Sequence, residues 1–207
     1  MIHLLRNQNI RDANPLLQSM FEDRKSIFID LLDWDIPVVD DRFEMDEFDN
    51  EHALYMIAAA DDCSTHMGSL RLLPSCRPHL LDTQFPHLCP GGVPKGPTVF
   101  EVTRLCLPQR LGAATRLEAR NWLISAMVDH ALAFGITLLT GVVEASFRKQ
   151  ILSMGWLAEP LGPACQFGGA NLGAFAIHIA PDTPDRLRWT NIYSPNRIVG
   201  PVAETGA

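Results

Sequence analysis

Phe100-Glu101-Val102-Thr103-Arg104-Leu105-Cys106-Leu107 is the stretch from which the rest of the chain is read. Phe100, Val102, β-branched Thr103, Leu105 and Leu107 favour extended backbone, so the segment reads as a strand. Glu101 and Arg104 interrupt an otherwise apolar run, and a buried charge costs several kcal/mol unless it is paired. Two readings follow. Either a strand at the rim of a sheet carries two solvated charges, or a core strand carries a carboxylate and a guanidinium into a cleft.

Composition narrows the setting. The chain has 207 residues, 47% of them hydrophobic and 20% charged, which is enough to bury a core without disulfides or metals. Net charge is −7, and only Lys25, Lys95 and Lys149 are lysines among the 17 basic residues, so a broad nucleic-acid face is excluded. The five cysteines (Cys63, Cys76, Cys89, Cys106, Cys165) are odd in number, scattered and without a C-x-x-C, as in a reduced, cytoplasmic protein. No apolar run reaches the length of a membrane span, and Arg6 and Asn7 stand where a signal peptide needs its apolar stretch. A single domain is expected over residues 1–197, with a disordered tail over 198–207.

Working outward from the central strand, Asn14-Pro15 reads as a helix start, followed by helical spacing to about Leu32. Residues 34–48 read as a loop. From Phe21 to Asp62 the chain holds 14 acidic residues against three basic ones, a solvated surface for the most part, and one suited to a cationic ligand. Ala53–Ala60 and Met67–Leu73 read as a hairpin, and Arg71 sits in the second strand among apolar neighbours. A long Pro/Gly-rich loop covers 77–97, with one helical turn near Leu80-Leu81. Ala113–Phe134 is the strongest helix. A strand at 136–143, a helix at 146–154, a strand at 172–179 and a helix at 184–191 follow. The order implies an α/β fold with a mixed sheet and helices on both faces.

Several chemistries are absent: there is no G-x-S-x-G, no G-x-x-x-x-G-K-[ST] and no H-E-x-x-H, and the dispersed histidines give no metal-ligand spacing. One glycine motif stands out. Gln109-Arg110-Leu111-Gly112-Ala113-Ala114 follows a strand and opens the long helix, where backbone N–H groups favour an anion. It resembles the pyrophosphate loop of GNAT acyltransferases and points to a phosphopantetheine-bearing thioester.

Read in order, the chain contains Arg24, Phe28, Trp34, then Glu44-x-Asp46-x-Phe48-Asp49, then Arg71-Leu72-Leu73-Pro74-Ser75, then Phe100-Glu101-x-Thr103-Arg104. This ordered set, with Gly155-Trp156 and Leu161-Gly162-Pro163 downstream, resembles the acyl-homoserine-lactone synthases of the LuxI type. Phe48 stands where Tyr is common, and Ser75 and Thr103 replace their hydroxyl counterparts.

The resemblance implies a GNAT-like fold, with a mixed, mostly antiparallel sheet, and a two-step reaction. The α-amine of S-adenosylmethionine attacks an acyl thioester; the methionine carboxylate then attacks its own γ-carbon, closing the lactone and expelling 5′-methylthioadenosine. S-adenosylmethionine is a consumed cosubstrate, and neither a cofactor nor a metal is expected. By this resemblance Glu101, Asp46 and Arg104 are the catalytic residues, with Glu101 as general base directly or through a water. Arg24, Phe28, Trp34, Asp46 and Arg104 hold S-adenosylmethionine, the aromatics facing its sulfonium or adenine. Asp49 and Arg71 belong to a structural charge network, in which Arg71 and Arg104 pair with Asp46, Asp49 and Glu101.

Phe100, Thr103, Thr140 and Gly141 are the expected acyl-chain pocket. By the same resemblance, the strand position where many 3-oxo-acyl synthases carry Thr or Ser falls near Gly141, counted back from Gly155-Trp156, with Thr140 beside it; Gly offers no hydroxyl, so a donor unsubstituted at carbon 3 is expected. Gln109, Gly112, Ala114, Arg148 and Lys149 are the expected phosphopantetheine or carrier contacts, the donor being acyl carrier protein or acyl-CoA. Two other readings stay open on the residues alone: a GNAT-type N-acyltransferase using acyl-CoA and another amine, and a non-catalytic relative that binds one of the substrates.

Overall fold

The computed structural model describes residues 1–6 and 14–195, together with the backbone of 198–199. The first half contains β1 (Ile2–Arg6), α1 (Pro15–Arg24), a π-helical segment (Lys25–Leu31), β2 (Val38–Val39), β3 (Phe43–Glu44), β4 (Leu54–Ala59), β5 (His66–Pro74) and the short α2 (Leu80–Thr83). Then come β6 (Val99–Cys106), α3 (Ala113–Ala133), β7 (Leu138–Glu144), α4 (Ala145–Leu152), β8 (Leu157–Pro160), β9 (Cys165–Phe167), β10 (Ala170–His178), α5 (Thr183–Trp189) and β11 (Ile198–Val199). Nine strands hydrogen-bond in the order β11-β1-β4-β5-β6-β7-β10-β8, with β9 on β10. The pairing is mixed and mostly antiparallel, with helices flanking the sheet.

Two compact units divide the chain: Met1–Arg71 with Arg104–Ala126 and Pro195–Ala207, and Leu72–Thr103 with Met127–Ser194. In the first, Asn14 caps α1 through Oδ1, which accepts from the backbone N–H groups of Leu16 and Leu17, and Pro15 occupies a first-turn position where its missing N–H leaves nothing unpaired. The buried stripe of α1 is Leu16, Leu17, Met20, Phe21 and Arg24. A guanidinium thus takes the last place in an apolar stripe and must find anions inside.

The expected helix to Leu32 changes pitch at Lys25, where wider π-helical turns begin, and Lys25 pairs with Asp30, five residues on, at 2.7 Å. Asp33 takes a left-handed φ of 55° and closes the helix, so that the Trp34 N–H reaches the Phe28 carbonyl at 2.9 Å. Within the expected 34–48 loop, β2 and β3 form a small ribbon. Its turn residues Asp40 and Asp41 sit at φ 53° and 52°, the type I′ requirement, and this turn carries Glu44 into the interior. Ile198–Val199, expected within a disordered tail, instead pair in parallel with Ile2 and His3; residues 200–207 of that expectation lie outside the described residues.

In the second unit, β7 and β10 pair antiparallel over seven residues, and the start of β6 runs parallel to β7. Between the expected helix at 146–154 and the expected strand at 172–179 lies β9, which doubles back on β10. The expected helical turn at Leu80-Leu81 is α2, and a 3₁₀ turn follows at Pro86–Leu88. From this segment Leu81, Leu88 and Cys89 pack on Ala174, with Phe85, Val93, Val142, Leu161, Cys165 and Leu172 around them.

Candidate active site

The first unit holds a closed ring of alternating charge. Arg24 donates through Nε to Glu44, and through Nη1 and Nη2 to both oxygens of Asp49, at 2.9 and 2.8 Å. Glu44 accepts from Arg104 at 3.0 Å, and Arg104 also donates to Asp46 at 2.7 Å. Asp46 accepts from Arg71 at 2.6 and 2.9 Å, and Arg71 closes the ring on Asp49 at 2.7 Å. Three carboxylates meet three guanidiniums, so the ring is neutral, and none of its side chains is more than 9% exposed. That balance is what lets six ionised groups leave water. Oxygens of Glu44, Asp46 and Asp49 lie within 4.8 Å of one another, close enough for a cation, and it is the arginines that supply the positive charge there.

Electrostatics follow from this packing. Burial alone would raise the Asp49 carboxyl, but the Arg24 and Arg71 charges, with hydrogen bonds from Arg24 and the Asp46 backbone, hold it well below the ordinary carboxylate range. Burial and the adjacent Asp49 charge push the Tyr55 hydroxyl well above its usual value, and that hydroxyl donates to Asp49 at 2.8 Å. Arg104 itself sits at a left-handed φ of 52° inside a strand, a strained position that its ion pairs hold in place. Its guanidinium lies 5.5 Å over the Phe28 ring, and Phe28 stacks on Trp34 at 4.9 Å and 15°. Phe28 is buried, whereas Trp34 is 43% exposed and presents its ring outward.

Several expectations change here. Arg24 is fully buried inside the ring, with Nε, Nη1 and Nη2 all bonded to Glu44 and Asp49, and does not present itself as a wall of a ligand pocket. Arg104 pairs with Glu44 and Asp46, where Glu101 had been expected among the partners. Glu44, for which no role is expected from the resemblance, is a full member of the ring; its clue is its place two residues before Asp46 in the same acidic motif.

Glu101 lies in the second unit, fully buried, and its carboxylate accepts from the backbone N–H of Leu80 at 2.9 Å and of Leu81 at 2.8 Å. Backbone donors leave no trace in a sequence, so this clamp was not legible. Parallel register sets Thr140 opposite Glu101 and Leu139 opposite Phe100. Facing residues share a face and successive residues alternate, so Thr140 stands on the Glu101 face while Phe100 and Gly141 belong to the other. A Cβ on Gly141 would come within 2.7 Å of the Phe175 ring and 2.9 Å of the Val102 carbonyl, so glycine is there to admit that ring. The four expected acyl-pocket residues therefore divide, and Thr140, not Gly141, faces the Glu101 side. Val142 and Ala174 lie on that same face, beneath the apolar cluster of Leu81, Leu88 and Cys89.

The expected donor contacts also divide. Gln109, Gly112 and Ala114 are exposed at the opening of α3 in the first unit. Lys149 is exposed, but Arg148 turns inward, donating to the carbonyls of Gly162 at 2.9 Å and Ala174 at 3.2 Å. Arg148 thus fastens α4 to the 162 loop and β10 and is not part of a surface patch.

The mixed, mostly antiparallel sheet flanked by helices is a GNAT-like α/β fold. A model of the autoinducer synthase family matches residues 7–182, and the chain belongs to that family. An acyl-homoserine-lactone synthase of Ralstonia nicotianae is 34% identical over 167 residues, 77% of this chain and 80% of that protein. Among solved structures, the CoA-dependent acyl-homoserine lactone synthase MesI matches with a TM-score of 0.81 at 28% identity, covering 96% of this chain and 98% of its own. BjaI, another CoA-dependent acyl-homoserine lactone synthase, solved with SAM and isopentyl-CoA, matches at 0.82 and 25% identity, covering 97% and 92%. The chain is an acyltransferase that makes an N-acyl-homoserine lactone, a quorum-sensing signal, from S-adenosylmethionine and an acyl donor. No helix among the described residues is long and apolar enough to cross a membrane.

Proposed function

We propose that the acyl donor is an acyl-CoA, that S-adenosylmethionine is consumed as cosubstrate with no separate cofactor, and that the reaction runs in the cytoplasm. The inward turn of Arg148 supports the first point, because it removes a cation from the surface that an acidic carrier protein would need. The CoA dependence of MesI and BjaI supports it independently.

In this reading Phe28 and Trp34 receive the cationic cosubstrate, Trp34 stacking on adenine. Asp46 holds the α-amine. Its acceptor sites are taken by the Phe48 N–H, Arg71 and Arg104, so an incoming ammonium displaces one arginine. Arg104 is the one that moves, because it holds Asp46 through one hydrogen bond and keeps Glu44, whereas Arg71 holds Asp46 through two. The acyl chain lies along the Glu101 face, in the apolar cluster near Ala174. The ammonium first loses a proton, with Glu101 as the base that the family resemblance implies; the free amine then attacks the thioester carbon, the C–N bond forms, the C–S bond breaks, and the second N–H proton goes to the departing sulfur, so that CoA leaves as thiol. The methionine carboxylate then displaces neutral methylthioadenosine from the sulfonium, a step that needs no acid.

The closed ring that presents Asp46 and Arg104 beside Phe28 carries the reading. Purified protein should release methylthioadenosine only when S-adenosylmethionine and an acyl-CoA are both present. Equal or faster turnover with carrier-bound acyl groups of the same chain would reject the donor assignment.

A further inference from the structure

The 77–97 segment is a strap pinned at its base. Ser75 Oγ accepts from the Gly96 N–H at 3.0 Å and donates to the Gly96 carbonyl at 3.2 Å, so the two ends of the strap meet. Between those ends, Leu81, Leu88 and Cys89 reach inward and cover Ala174 of β10. Asp82 and Lys95 pair at 2.6 Å within the strap, both partly exposed, so that pair contributes little. A stronger polar hold comes from β6. Each oxygen of the Glu101 carboxylate takes one N–H of α2, Leu80 on Oε2 and Leu81 on Oε1.

That hold depends on one proton. As a carboxylate, Glu101 offers acceptors on both oxygens. Once protonated, one oxygen carries an O–H, which would meet an N–H donor to donor, and one of the two bonds is lost. The remaining bond goes to a neutral group and is weaker. The titratable neighbours of Glu101 are His79, next to Leu80, and Cys89 in the strap. His79 Nδ1 is engaged with the Arg77 carbonyl at 2.9 Å. Burial, and after it the Glu101 charge, push the Cys89 thiol above its usual value, so it adds no charge of its own at neutral pH.

We propose that Glu101 is the latch of this strap, and that the proton it accepts in turnover releases it. The inference rests on the reading of Glu101 as the base. The proton passes from the cosubstrate ammonium to Glu101, and α2 loses a bond. The strap lifts from Ala174, and the acylated product leaves the apolar cluster. Water then takes the proton from the uncovered carboxyl, and the carboxylate recaptures the N–H groups of Leu80 and Leu81.

The test is hydrogen exchange on the full chain, expressed as protection relative to each amide's intrinsic rate, which cancels the pH dependence of the exchange chemistry. As pH falls from neutral, protection over 80–97 should drop about 10- to 150-fold, the value of one hydrogen bond to a charged group, while β7 and β10 keep theirs. Glu101→Gln, whose amide imitates the protonated carboxyl, should show the lowered protection already at neutral pH and no further response. Asp82→Asn should respond as wild type does. With S-adenosylmethionine and an acyl-CoA both in excess, 80–97 should exchange faster than with either substrate alone. The latch is overturned if the strap loses protection only together with β7 and β10, if Glu101→Gln protects it as wild type does, or if Asp82→Asn abolishes the response. Equal exchange with one substrate and with both overturns its part in turnover. The pH measurements involve no catalysis, so methylthioadenosine release reports the synthase reading separately.

Discussion

Arg24 and Asp49 are joined by two parallel hydrogen bonds, 2.9 and 2.8 Å, with both side chains sealed from solvent. Removing one member strands the other as a buried charge, so Arg24→Ala should cost about 3–5 kcal/mol. For a chain of this size that lowers Tm by roughly 6–20 °C. A melt indistinguishable from wild type would mean that the ring opens to water in solution.

Asp49 also makes an acid prediction. Its folded pKa is depressed below the unfolded value, so its stabilisation is complete above the ordinary Asp value of ~3.9 and is lost as pH falls from there towards the folded value. Wild-type Tm should therefore drop steeply below about pH 4. Asp49→Asn should melt lower at neutral pH and show a shallower acid slope. Parallel slopes for the two proteins would assign the acid sensitivity to other carboxylates.

Glu101→Gln is not a neutral probe of proton transfer. Both carboxylate oxygens accept backbone N–H groups, and an amide NH₂ would face one of them donor to donor. The variant should lose about 1–3 kcal/mol of stability together with turnover. Protease cutting within residues 80–97 should also rise. Full stability with lost turnover would show that the clamp is dispensable and that only the proton acceptor was removed.

Trp34 is exposed, and its ring is free to stack beyond Phe28. Trp34→Ala should leave Tm nearly unchanged while the KM for S-adenosylmethionine rises by roughly 5- to 150-fold, the value of about 1–3 kcal/mol of base stacking. An unaltered KM would place the adenine elsewhere.

Arg148→Glu and Lys149→Glu should behave differently although adjacent. The first removes the Arg148 bonds to the Gly162 and Ala174 carbonyls, the latter keeping only the Leu161 N–H, and should cost about 1–3 kcal/mol. The second changes an exposed side chain and should stay within about 0.5 kcal/mol. Salt-sensitive changes in donor KM for both, without a stability difference, would restore the surface patch.

Local periodicity and capping chemistry carried most of the elements. Asn14-Pro15, the central strand and the long apolar helix to Ala133 stand where their residues place them, because propensity and helix capping act within a few positions. The ordered charges from Arg24 to Arg104 were enough to indicate the family, since charges on core elements survive only when compatible partners are kept. Two local features escaped. The π-helical turns after Arg24 have no distinct composition, and the turn at Asp40-Asp41 lacks the glycine that usually marks left-handed backbone.

What the sequence determined by itself was the inventory: three arginines and their carboxylates, an aromatic pair, a glutamate on the central strand. Tertiary structure alone decided who meets whom. Arg24 and Glu44 are 20 residues apart and Arg104 and Glu44 are 60 apart, distances over which local rules carry no information. Glu101 found backbone donors, which every residue but proline possesses and which therefore mark no position. Thr140 and Gly141 were separated by strand register, where a shift of one residue exchanges the two faces. That choice is made by the pairing of β6, β7 and β10 and by the Phe175 ring over Gly141, contacts that exist only once the chain has folded.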